Sequence, residues 1–146
     1  MQNLERFETL ESHVLTALDE AEASGMGNAP GQDAFARAMT ALDELDELRG
    51  SHIYSPLAAD PLTRDYVSHL DGQLQGLVTR IDILRTHIEM SLLATAGDAG
   101  LLDASLTRLN RQLQVRFHRE AALVPVYVGW VERSAVAAER MAVASH

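Results

Sequence analysis

The sequence predicts an all-α protein, an antiparallel up-down-up-down bundle of four helices. Three observations carry this expectation. Aromatic residues make up only 5% of the chain while alanine and leucine dominate, a composition that favours helix. Apolar residues recur at steps of three and four along four separate segments. The breaks between those segments are short and rich in Gly, Pro, Asn and Asp, so successive helices turn back on one another. A chain of 146 residues has the length of one domain and can bury a core without staples. Residues 1–146 are therefore read as a single bundle, with a helical extension from about residue 131.

The first helix runs from about Leu4 to Ala23, with Leu4, Phe7, Leu10, Val14, Leu18 and Ala21 on one face. "SGMGNAPGQ" (24–32) then supplies a loop. The second helix spans about Asp33 to His52 and uses Phe35, Ala38, Leu42, Leu45 and Ile53. In "SPLAADPLT" (55–63), Pro56 and Pro61 end one helix and start the next. The third helix, about Leu62 to Ala94, carries Tyr66, Leu70, Leu74, Leu77, Ile81, Leu84 and Ile88. "TAGDAG" (95–100) breaks it. The fourth begins near Leu101, shows Leu102, Leu106, Leu109, Leu113, Phe117, Val124 and Val128, and continues past Pro125 with a kink there.

Composition excludes several classes of function. There is no cysteine, which removes disulfides and thiolate metal sites. The net charge is −9 and every cation is a scattered arginine, so nucleic acid is not an expected partner. The N-terminal stretch lacks a signal-type apolar region, and the apolar run 121–131 is broken by Pro125 and too short to span a bilayer. A cytoplasmic protein with no membrane contact is expected. Zinc-protease, phosphate-loop and serine-elbow motifs are absent, and no enzymatic activity is expected.

Three stretches carry a resemblance. "HIYSPLAADPLTRDYVSHL" (52–70) is similar to the junction between the second and third helices of hemerythrin-like (HHE cation-binding) domains. "FHREAALVPVY" (117–127) resembles that family's fourth helix, and "LESHVLTAL" (10–18) its first-helix histidine segment. The resemblance implies a four-helix bundle holding non-haem iron that binds or senses dioxygen, nitric oxide or iron itself. It matches His13, His69 and Glu120 to metal ligands. It also exposes departures. The histidine expected four residues before Glu120 is Arg116, the second-helix ligand positions fall near Asp46 and Gly50, and a further third-helix position is Gln73.

Helical geometry then weighs each candidate. Glu120 falls within roughly 20° of the centre of its helix's apolar stripe, where a carboxylate needs a metal or a cation. Arg116 lies one turn earlier, and Arg49 sits near the centre of its own stripe. Arginine has no lone pair to give a metal, so Arg49, Arg116 and Glu120 read as a core polar network. His13 and His69 lie on flanks, roughly 100–120° from their stripe centres, and His118 faces solvent. The leading expectation is a hemerythrin-like sensor or regulatory protein with a lost or altered iron site and no cofactor, acting through protein contacts. The alternative retains iron on His13, His69 and Glu120. Beyond Pro125, a second stripe of Val126, Trp130, Ala137 and Met141 either folds back over the bundle's open end or, as the favoured expectation, forms a homodimer centred on Trp130.

Overall fold

The computed structural model describes residues 2–94 and 98–144, and every regular element among them is helical. In chain order these are α1 (Gln2–Ser24), α2 (Ala29–Arg49), a π-helical turn (Gly50–Tyr54), α3 (Ser55–Ala59), α4 (Arg64–Leu93), α5 (Ala99–Glu120) and α6 (Leu123–Ala144). The apolar faces of α1, α2, α4 and α5 close on one core, in which Val14, Leu18, Leu45, Ile88, Leu106, Leu109 and Leu113 are fully buried. The break expected at "TAGDAG" falls partly on residues 95–97, outside the described residues.

The turn after α1 needs its glycines. Gly25 adopts φ +84° and donates its N–H to the Ala21 carbonyl at 2.9 Å, closing the helix. A Cβ on Gly31 would land on the Gly25 carbonyl, so the start of α2 can seat against this turn only without a side chain. Pro30 lies in the first turn of α2, where its missing N–H costs nothing. The second helix accordingly begins before the expected Asp33.

Two prolines act differently from the expectation. Pro56 does not end the second helix. In a regular α-turn its ring would collide with the carbonyl of His52. The chain widens the preceding turn instead, with the Ser55 N–H reaching back to the Gly50 carbonyl, and helix continues to Ala59. Asp60 and Thr63 then make the corner: Asp60 Oδ1 accepts from the Leu62 N–H at 3.0 Å, and the Thr63 hydroxyl donates to the Leu57 carbonyl at 2.6 Å.

Pro125 interrupts the fourth helix one turn before itself. Its ring would crowd the Ala121 carbonyl, and it has no N–H to offer it. The helix breaks at Ala121 and Ala122, where tighter bonds run from the Ala122 N–H to Arg119 and from the Val124 N–H to Ala121. That break resets the helical phase. Leu123 and Tyr127 are buried where Val124 was expected, and Val124 is exposed. On α4, Tyr66 is likewise exposed and its neighbour Val67 takes the core position.

Candidate functional site

Four elements converge on Glu120, the last residue of α5. It is 3% exposed, deep enough that an unpaired carboxylate would be prohibitive. Its Oε1 accepts from Arg116 Nε at 3.0 Å and from Arg49 Nη1 at 3.4 Å, and its Oε2 accepts from the Tyr54 hydroxyl at 2.6 Å. Arg49, from the end of α2, also pairs with Glu11 of α1, and its guanidinium lies 5.9 Å from the Phe7 ring centre and 5.5 Å from that of Phe117. Arg116 holds Asp46 of α2 with Nη2 at 2.6 Å from Oδ1. Three carboxylates thus surround two guanidiniums, and among the described residues no buried side-chain polar atom lacks a partner.

The protonation states follow from these contacts. Burial pushes the Tyr54 phenol far above its ordinary range, and the Glu120 charge adds to that, so Tyr54 remains a donor. Burial also raises the Asp46 carboxyl; Arg116 opposes this without cancelling it, and the Glu120 charge adds to the rise. Burial works against the charge on Arg116, but Glu120 and Asp46 outweigh it and raise its pKa, so it stays a cation.

The structure brings Arg49, Arg116 and Glu120 together and leaves the histidines elsewhere. His13 is exposed in a shallow groove between α1 and α2, beside Thr16, Arg37 and Thr40. His69 is exposed on α4, its Nε2 3.1 Å from Gln73 Nε2. Among the described residues no group of three or more His, Asp or Glu side chains is arranged to hold a metal ion. The set His13, His69 and Glu120 therefore does not form one site, because flank positions on α1 and α4 face outward while Glu120 faces inward. The donors around Glu120 do not fit iron either: both of its oxygens already accept hydrogen bonds, and its neighbours are guanidiniums without lone pairs.

Tyr54 and Glu11 were not foreseen in this cluster. Tyr54 depends on the π-turn, and the one sequence signal for that turn is the run Leu45, Arg49, Ile53 and Leu57. A pure four-residue step drifts around a regular α-helix by roughly 40° each time. All four are nevertheless buried, because the wider turn holds them on one face.

The C-terminal stripe is divided. Val126 and Trp130 pack partly against the core, and Trp130 stacks on Tyr127 with ring centres 6.1 Å apart. Asn3 donates to the Tyr127 hydroxyl at 3.1 Å, and Arg133 reaches Asp60 at 2.9 Å. Ala137 and Met141 are exposed, as is α6 from Glu132 onward. Trp130 is thus not the exposed anchor expected from the sequence, since its ring stacks on Tyr127 and packs partly against the core of its own chain. No helix among the described residues is long and apolar enough to cross a membrane. No protein-family profile, curated protein or solved structure matches the chain.

Proposed function

We propose that this chain is a cytoplasmic, non-enzymatic protein of hemerythrin-like architecture in which an internal ion network stands where a metal would be held. It acts through contacts with proteins, as a sensor or regulatory module. The antiparallel order is supported by pairs between helices. Arg6 with Glu44 and Glu20 with Arg37 join opposite ends of α1 and α2, and Asn3 with Tyr127 of α6 and Asp19 with Asn110 of α5 run oppositely along α1 and the consecutive helices α5 and α6. The net charge of −9 supports a protein partner over nucleic acid.

One observation carries the reading: the Glu120 carboxylate is fully engaged by Arg49, Arg116 and Tyr54. A guanidinium stays protonated and cannot ligate, so the network supplies the counter-charge that a cation would otherwise give. Metal analysis of protein purified from iron-supplemented cells tests this. The expected result is no stoichiometric metal and no oxo-bridged absorption. Stoichiometric iron lost on mutating His13 or His69 would overturn it in favour of a non-haem iron protein that handles dioxygen, nitric oxide or iron.

A further inference from the structure

We propose that the outward face of α6 is the seam of a weak parallel homodimer, in which Glu132 and Glu139 of each copy face Arg133 and Arg140 of the other. From Glu132 to Ala144 the helix is exposed on every side, over a length of about 20 Å. Helices this short are marginal in water unless something packs against them. Opposite charges one turn apart would strengthen such a helix from within. Glu132, Glu139 and Arg140 each lack an opposite charge three or four residues away, so they do nothing of that kind for their own helix.

The same charges are ordered around the helix. Tyr127 is buried and fixes the side that faces the bundle. At about 100° per residue, Gly129, Val136 and Val143 lie within about 20° of the direction opposite to it. Val136 and Val143 are 46% and 75% exposed. Glu132 and Glu139 stand about 40–60° to one side of this line, and Arg133 and Arg140 as far to the other. A shallow groove lies beside Val136 between Glu132, Arg133 and Arg140. Each of the three lines repeats after seven residues (132 and 139, 133 and 140, 136 and 143). That is the period that keeps a seam facing a partner helix.

Charge selects a second copy of this chain and sets its direction. In an antiparallel pair each flank would meet its own kind, acid against acid and arginine against arginine. In a parallel pair the two-fold axis runs along the helices and sets the acidic flank against the arginine flank. Glu132 then meets the partner's Arg133, Glu139 meets the partner's Arg140, and symmetry repeats both pairs. Arg133 keeps its bond to Asp60, because a guanidinium has donors enough for two carboxylates. The seam points away from the bundle, so a second copy displaces none of the chain's own contacts. From Gly129 to Val143 it is about 21 Å long. It buries well below the ~800 Å² per partner of a standard stable interface, so the association is reversible and depends on concentration. The proposal rests on the reading of a contact module for its purpose, but the two fail separately. Iron in the purified protein would sink that reading and leave the seam standing, whereas a monomer would sink the seam alone.

Sedimentation velocity on the full chain tests the seam. The protein should be monomeric at a few micromolar and should dimerise at about 200 µM. Glu139→Arg brings arginines together across the seam and Arg140→Glu brings carboxylates together. Each variant alone should associate at least about tenfold more weakly, with unchanged circular dichroism. Mixed one to one they should form a heterodimer, since every acid–arginine pair is then restored. Because the chain has no cysteine, Val143→Cys offers a single thiol at the seam and Ala138→Cys one on the opposite side of the helix. A short bis-maleimide should join the first into a covalent dimer and leave the second monomeric. An antiparallel pair centred on Val136 would hold the two 143 positions about 21 Å apart, beyond its reach. A wild-type monomer at the higher concentration, variants that associate as the wild type does, no heterodimer on mixing, or cross-linking through residue 138 in place of 143 would each overturn the seam.

Discussion

At the scale of single residues, Glu120 and its partners differ sharply in what their removal should cost. Glu120→Ala leaves Arg49 with Glu11 alone, Arg116 with Asp46 alone and the Tyr54 hydroxyl without its acceptor, and should destabilise by roughly 3 kcal/mol, the low end for breaking a buried pair, read from the denaturant midpoint. Tyr54→Phe removes one donor from a carboxylate that keeps two others, and should lose about 1–2 kcal/mol. Asp46 has the opposite sign. Its folded pKa is raised by burial, so ionised Asp46 opposes folding at neutral pH. Its contribution becomes favourable as pH falls through the folded value, and is complete below the ordinary 3.8. Asp46→Asn should therefore leave neutral-pH stability unchanged or slightly higher, and should remove that acid-side gain. Asp43, whose pKa is lowered by its bond from Arg85, behaves conversely. Its stabilisation is present above the unfolded value and is lost as pH falls through the folded one. Stability curves from pH 7 to pH 3 for Asp46→Asn and Asp43→Asn should bend in opposite senses relative to wild type.

At the scale of elements, turns and breaks are set by backbone geometry that single substitutions can probe. Gly31→Ala forces a methyl against the Gly25 carbonyl, which is backbone and cannot swing aside. Gly50→Ala places its methyl in open space within the π-turn and should be neutral or stabilise by about 0.5–1 kcal/mol. Thermal melts of the two should move in opposite directions, and a Gly31→Ala protein as stable as wild type would refute the close approach. On α6, Trp130 is a packing residue in its own chain, stacked on Tyr127 and half-buried. Trp130→Ala should lower stability by about 1–2 kcal/mol. If its role were at a dimer interface alone, the mutation would change sedimentation and leave the melting of dilute protein untouched.

At the scale of the whole molecule, the ion pairs fall into two classes. Arg6 with Glu44 and Arg37 with Glu20 are about half exposed on each side, and such pairs contribute little and are screened by salt. The Glu120 cluster is buried and shielded from ions. Raising salt should therefore change stability only slightly in the wild type, and the deficit of Glu120→Ala should persist. Chelation offers a complementary measurement. A fold whose core charges are neutralised by arginine should melt at the same temperature with and without excess EDTA, whereas a metal-dependent fold would melt earlier with it.

Local pattern was enough to read much of this protein. The three- and four-residue spacing determined that it is helical, and it marked Val14, Leu18, Leu45, Ile81, Leu106 and Leu113 as core, because one buried face per helix follows from helical geometry alone. The same geometry marked Glu120, Arg49 and Arg116 as charges pointing inward, which left them each other as partners. What a helical wheel cannot carry is phase across an irregular turn. The π-turn before Pro56 and the break before Pro125 shift every later residue, and so decided that Tyr54 reaches Glu120 and that Leu123 and Tyr127, not Val124, are buried. Nor can a single helix state which flank its neighbours cover. Only the packing of all the helices decided that His13 and His69 face outward, that Trp130 lies on its own bundle, and that α6 is left open from Glu132 onward. The physical reason is that burial belongs to pairs of elements, while periodicity belongs to one.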